Sequence, residues 1–197
     1  EYNYSVKLPL AQAESNVVFF DDFGWLQPIL DGYAAKTGKK IGDTIGNSKD
    51  DNAVNIYSGD LKSFAPAALN LAGYEDMNPE LELIYLQDKY LKFSRTGGNN
   101  TSLRLPSIQV KSATDVTMEF DHAAMVQGSG TVDDSKVVIV IEGDGQFENG
   151  TKCSDILEIN QAKGKYNWSH SSVKIKGVTA NTRLVVVMYR VVMTKND

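Results

Sequence analysis

The stretch Asp115-Val116-Thr117-Met118-Glu119-Phe120-Asp121 decides the fold: Val116, Met118 and Phe120 alternate with Thr117, Glu119 and Asp121. Successive side chains of a strand point to opposite faces, so period two marks a half-buried β-strand. Downstream, Val137 to Ile141 is a β-branched run of strand length closed by the turn signal Gly143-Asp144-Gly145, and it reads as a central strand. Arg183 to Met193 is longer and apolar on both parities from Leu184 to Met188, as expected of a strand covered on both faces or bent by a bulge. Weaker strands are expected at Asn16 to Phe20, Glu82 to Leu86, Tyr90 to Ser94, Thr101 to Leu105 and Ser169 to Ile175, with turns such as Gly97-Gly98-Asn99-Asn100 between them.

Many short strands without alternating helices predict an all-β chain, a two-sheet antiparallel β-sandwich with at most one short helix. The only helix signal is Leu61 to Leu71, where Ala67, Ala68 and Leu71 form an apolar stripe and Pro66 must sit in the first turn or kink it. A length of 197 residues is enough for one self-sufficient core. One domain over 1–197 is expected, with 1–15 an extended N-terminal segment and 32–59, rich in Gly, Asp, Asn and Lys, a long loop excursion.

Composition narrows the partners. With 42% hydrophobic and 23% charged residues the chain is of ordinary globular make-up. A net charge of −5 and the lack of a basic stripe argue against a nucleic-acid binder, whose affinity comes from clustered Lys and Arg. The longest apolar run, Leu184 to Met188, is too short for a transmembrane helix. Cys153 is the only cysteine, which excludes an intrachain disulfide and a zinc site of several thiolates. As a nucleophile it would need His122 or His170 beside it; a semi-buried small side chain is the favoured expectation.

Six motifs occur in order: Phe19-Phe20-Asp21-Asp22-Phe23, Gly73-Tyr74-Glu75, Tyr90-Leu91-Lys92-Phe93, Leu103-Arg104-Leu105-Pro106, Gly143-Asp144-Gly145 and Gly177-Val178-Thr179-Ala180-Asn181-Thr182-Arg183. Together they resemble the galactose-binding-like jelly-roll modules of secreted and surface proteins from glycan-degrading gut bacteria. The resemblance spans Phe19 to about Met193 and rests on turns and strand starts. It implies a jelly roll, an extracytoplasmic location (periplasmic, secreted or outer surface), and a carbohydrate-binding or spacer role. No sugar-binding set of that group matches here position by position, and fold likeness by itself assigns no function.

Chemical motifs are sparse. Gly32 to Lys40 fails as a phosphate loop, since five residues separate Gly32 from Gly38 and Lys40 stands where Ser or Thr is needed. Gly128-Ser129-Gly130 lacks the third glycine of a dinucleotide fingerprint and reads as a turn. Glu142, Asp144 and Glu148 approach the acid spacing of some sandwich glycosidases, but Gly143 and Gly145 favour a bend with the acids solvated around it. His122 and His170 carry no metal-ligand spacing. Asp21 and Asp22 are candidates for a structural calcium, the one cofactor considered; turn or helix capping before Phe23 to Leu26 is favoured over it.

Sugar binding needs a flat aromatic face flanked by polar groups. Carrying strand register back from Val173 and Ile175 puts Trp168, with Tyr166 and His170, on the parity of Lys174 and Lys176, so Trp168 faces away from the core if no bulge intervenes. The alternative for Trp168 is burial in the core. Trp25, Tyr33 and Tyr74 are further glycan-binding candidates in loop-like sequence. The expectation is therefore a non-catalytic carbohydrate-binding or surface-attachment module with a glycan as partner. A structural or protein-interaction domain contacting other surface proteins comes second, and a glycoside hydrolase third.

Overall fold

The computed structural model describes residues 16–38, 54–57, 59–87, 90–93, 100–126, 135–157, 159, 161–163 and 166–190. Its elements in chain order are α1 (Leu26–Thr37), β1 (Val54–Asn55), α2 (Ala65–Leu71), β2 (Glu75–Asp76), β3 (Ile84–Gln87), β4 (Tyr90–Phe93), β5 (Thr101–Arg104) and β6 (Thr114–His122). There follow β7 (Ala124–Val126), β8 (Ser135–Glu142), β9 (Gln146–Phe147), β10 (Gln161–Lys163), β11 (Ser169–Val178) and β12 (Arg183–Arg190). The protein is mostly β, and the pairings β1–β3, β3–β4, β6–β11, β9–β11, β5–β12 and β8–β12 are antiparallel while β7 pairs parallel with β10. The sequence reads as one domain; the structure gathers it into two compact units, Glu1–Glu75 with Pro79–Ser94, and Asp76–Asn78 with Arg95–Asp197.

In the first unit α1 corrects two expectations, since there are two α-helices rather than at most one and Gly32 lies inside a helix rather than opening a loop. Leu26, Ile29, Leu30 and Tyr33 are its buried residues, the i, i+3, i+4, i+7 stripe of an amphipathic helix. Pro28 and Gly32 disguise that stripe in the sequence. Pro28 is tolerated because it stands in the first turn, where backbone N–H groups have no intrahelical acceptor. At the other end Gly38 N donates to Ala34 O at 2.9 Å. The rest of the expected excursion, 39–53, lies outside the described residues, as do 1–15, 97–99 and 128–130.

The second helix, α2, does place Pro66 in its first turn, but its stripe is different from the expected one. Ala65 and Leu69, one turn apart, are buried, whereas Leu71 is 69% exposed. The three-stranded sheet β1-β3-β4 pairs Val54 with Leu86 and Leu86 with Leu91. Ile84 and Leu86 are buried while Tyr85 between them is not, and the Lys92 ammonium lies 5.2 Å from the Tyr85 ring centre, a cation–π contact across the ladder. Asn16 to Phe20 is no strand: it is irregular, and Phe19 and Phe20 are exposed.

In the second unit a four-stranded sheet is ordered β2-β5-β12-β8. Strand β12 lies between β5 and β8, and its neighbours Leu184 and Val185 are both buried, as the two-parity apolar pattern predicts. Strand β8 is terminal in that order rather than central. Its outer side is occupied by the segment after the Gly143–Gly145 turn: Ile141 N donates to Lys152 O, Ser154 N to Ile139 O and Leu157 N to Val137 O. Covering an edge in this way removes a template for intermolecular pairing. The β-branched run from Val137 reflects this enclosure, with Val138, Ile139 and Ile141 all buried.

The other main sheet is β6-β11-β9, with Val173 opposite Met118 and Ile175 opposite both Val116 and Phe147. In β6, Val116, Met118 and Phe120 are half-buried and Thr117, Glu119 and Asp121 exposed, so the deciding heptapeptide keeps its period. The register of β11 slips only between Ile175 and Val178, beyond the stretch that orients Trp168.

The turns that end these strands are locked to each other. Asp144 Oδ2 accepts from Thr179 Oγ1 at 2.8 Å and from Asn181 Nδ2 at 3.4 Å, and Asp144 O accepts from the fully buried Thr182 Oγ1 at 2.9 Å. Gly143, at φ 74°, lies so close that an added Cβ would stand 2.1 Å from Asn181 O. Gly150, at φ 79°, would meet nothing within 4 Å. Gly150→Ala is therefore expected to cost only the left-handed backbone penalty of about 1–2 kcal/mol. Gly143→Ala must add the collision and exceed it by about 2 kcal/mol or more, the scale of overpacking. Urea unfolding of the two variants checks this, and equal losses would contradict it.

Candidate functional site

Strand β11 sends Ser169, Ser171, Val173 and Ile175 inward and His170, Ser172, Lys174 and Lys176 outward. Ile175 is fully buried, and Trp168, on the outward parity, is 54% exposed. The register expectation for its direction is met, because the bulge falls after Ile175. Tyr166, half-buried, inclines its ring 40° to Trp168 with centres 6.4 Å apart, so the two make a tilted pair rather than one flat surface.

Across the ladder, His170 faces Asp121 and Ser172 faces Glu119, which puts four polar side chains on the exposed face near Trp168. His170 Nδ1 and Asp121 Oδ1 are 2.9 Å apart. Further along, Lys174 Nζ stands 3.5 Å from Glu148 Oε1. An exposed indole sharing its outward parity with hydroxyl, carboxylate and imidazole groups offers C–H stacking and hydrogen bonding on one side of the sheet.

The other aromatic candidates belong elsewhere. Trp25, Tyr33 and Tyr74 are buried, so their rings present no face to a ligand, and the expectation that they contribute to a glycan surface is corrected. Tyr33 lies in the core stripe of α1. Trp25 and Tyr74 stack at 5.9 Å and 28°, and Phe23 leans on Tyr74 at 6.0 Å. Both polar tips turn to one carboxylate: Trp25 Nε1 donates to Asp21 Oδ2 at 3.0 Å and Tyr74 OH to the same oxygen at 2.6 Å. Buried Tyr and Trp find such partners because an unpaired O–H or N–H inside is costly.

Asp21 and Asp22 thus serve turns. Phe23 N donates to Asp21 Oδ1 at 2.6 Å and Gly24 N to Asp22 Oδ1 at 2.9 Å, two Asx-turns in succession. They hold Phe23 at φ 58°, an uncommon conformation for a bulky residue. The helix cap itself is Trp25, which makes no side-chain capping bond, so the aspartates shape the approach to α1 and do not cap it. Among the described residues no three His, Cys, Asp or Glu side chains group as metal ligands. Asp21 oxygens are already engaged by three protein donors.

The three acids near the second turn are dispersed. Glu142 receives Arg104 through Nε at 2.8 Å and Nη2 at 3.0 Å, a bidentate pair, while Asp144 holds the Thr179–Thr182 turn and Glu148 meets Lys174. Lys152 Nζ donates to the carbonyls of Gly143 and Gly145, fixing the bend that the glycines announce. Cys153 is exposed rather than semi-buried, in a bridge to Val140 on the outer side of β8.

The surroundings of one histidine are not legible in the sequence. His122 Nε2 lies 2.6 Å from Ser171 Oγ on the inner face, and among the described residues its buried Nδ1 has no hydrogen-bond partner. Desolvation holds its pKa below the usual imidazole value, opposed by the Asp121 charge and reinforced by His170. The two histidines thus sit on opposite sides of one strand pair. No motif spacing foretells that, since 48 residues separate them in the chain.

No known protein family, no curated protein and no solved structure matches this chain.

Burial, with the hydrogen bond to Asp21 and its charge adding, raises the Tyr74 phenol far above its ordinary value. A group whose folded pKa is raised contributes stability that is present below its unfolded pKa and is lost above it. Unfolded tyrosine ionises near about 10, so the loss begins as pH rises past that value. Wild type is expected to lose more thermal stability above pH about 10 than Tyr74→Phe does. Asp21→Ala, which strands the Trp25 and Tyr74 donors, should cost about 2–4 kcal/mol in urea unfolding at neutral pH. A loss under about 0.5 kcal/mol, the level of an ordinary surface change, would contradict the hub role of this carboxylate.

Proposed function

We propose that the protein is a non-catalytic carbohydrate-binding module of a secreted bacterial protein, built as a galactose-binding-like jelly roll and working outside the cytoplasm. The single observation that carries this reading is Trp168: a 54% exposed indole at the end of an outward row of polar side chains. Sugar C–H groups stack on an aromatic face of this kind, and sugar hydroxyls need partners such as Asp121, His170, Ser172 and Glu119. The mostly β architecture and the convergence of its turn motifs favour the jelly-roll assignment.

A second reading, a structural or protein-interaction domain, is favoured by a different observation. Val17, Phe19 and Phe20 are all exposed in the first unit, and contiguous exposed apolar side chains mark protein contacts. A glycoside hydrolase gains no support from Glu142, Asp144 and Glu148, each engaged with a different partner.

A glycan-array screen of the whole chain tests the proposal, followed by calorimetry on the best ligand. Trp168→Ala should lower affinity by about 2 kcal/mol or more, near thirtyfold, with an unchanged melting temperature. Binding of no glycan, or a Trp168→Ala variant that chiefly melts earlier, would transfer the weight to the protein-interaction reading.

A further inference from the structure

The inner and outer faces of the β6–β11 ladder differ at its Trp168 end: one carries His122, the other His170 and Asp121. Ser169, the residue after Trp168, is the cross-strand partner of His122, and His170 is that of Asp121. His122 points inward, its Nε2 against Ser171 Oγ at 2.6 Å and its ring 5.5 Å from that of Phe120. Its buried Nδ1 meets no partner among the described residues. A neutral imidazole can live there with one nitrogen served. A protonated one carries a second N–H, at the buried Nδ1, with no acceptor among the described residues.

From this cluster we propose that His122 is an acid-sensitive latch. Charging its imidazole loosens the β6–β11 ladder at Ser169 and so disorders the Trp168 face, making ligand binding weaker at acidic pH. The proposal rests on the carbohydrate-binding reading for its ligand, and on the cluster alone for the latch.

Among the described residues, the ionisable groups that act on His122 are Asp121 on its own strand and His170 on β11. Both lie on the outer face, paired with each other at 2.9 Å. Asp121 favours the charged imidazole and His170 opposes it, but burial outweighs both and sets the lowered direction. The sign follows. A histidine with a depressed folded pKa is taken up neutral, so the fold is stable above the unfolded value of about 6.5 and loses stability as pH falls through it towards the folded value. His170, exposed on the outer face with Nδ1 2.9 Å from Asp121 Oδ1, serves as the control position.

The test measures two quantities on the whole chain at pH 7.5 and pH 5.5: affinity for the best array glycan, and amide-exchange protection factors of 119–122 and 169–171. Wild type is expected to lose roughly tenfold in affinity at the lower pH, equivalent to about 1.4 kcal/mol, with a parallel loss of protection in the ladder. His122→Gln should hold both within about twofold, with His122→Asn as the alternative should Gln unfold the strand end, and His170→Gln should keep most of the wild-type response. A wild type whose protection is unchanged by acid, or a His122 variant that keeps the full response, overturns the latch. If no glycan binds at either pH the carbohydrate reading fails, and the protection factors alone still decide the latch.

Discussion

A β-strand delivers alternate residues to opposite sides, and that constraint, applied to β6 and β11 together, decides which of their side chains face the interior and which face water. Pairing Val173 with Met118 and Ile175 with Val116 commits one parity to the interior; the other parity then has nowhere to go but water. Asp121, Glu119, His170, Ser172 and the indole of Trp168 are exposed as a consequence. A slip of one residue would exchange the two sets. The bulge between Ile175 and Val178 shows that β11 can slip, and its location decides that Trp168 does not.

Two aspartates do for the turns what the pleat does for the strands. In the first unit Asp21 gathers a backbone N–H, an indole N–H and a phenol, and so joins the Phe19–Phe23 motif to Gly73-Tyr74-Glu75 across 53 residues of chain. In the second, Asp144 joins the Gly143–Gly145 turn to Thr179, Asn181 and Thr182. Close by, Arg104 grips Glu142, and Arg183 donates to Leu105 O at 3.1 and 2.9 Å. Five of the six motifs that suggested a galactose-binding-like module therefore meet in two polar clasps. These contacts close turns over strand ends, where every buried donor must be served.

The same economy explains why acidic residues mislead here. Asp21, Asp22, Glu142 and Asp144 stand where metal binding or acid catalysis could be imagined, yet each is answered by a donor from its own unit. Glu119, Asp121, His170 and Ser172 face water on the outer side of β6 and β11, and among the described residues the buried side-chain nitrogen without a partner belongs to His122, on the inner side of the same strands.

Local pattern was enough to read the strands at 115–121, 137–141 and 183–190, the turn at Gly143–Gly145 and the outward direction of Trp168, because period-two alternation and glycine punctuation are properties of neighbouring residues. It was not enough for α1, where Pro28 and Gly32 hide the buried stripe Leu26, Ile29, Leu30 and Tyr33. Trp25, Tyr33 and Tyr74 carry no mark of burial either, since an aromatic ring in polar sequence goes inside or outside according to what packs on it. Only tertiary structure paired Asp21 with Tyr74, Asp144 with Thr182 and His122 with Ser171. Hydrogen bonds spanning tens of residues depend on where the chain returns, and the return is set by the burial of the whole core rather than by any residue in the pair.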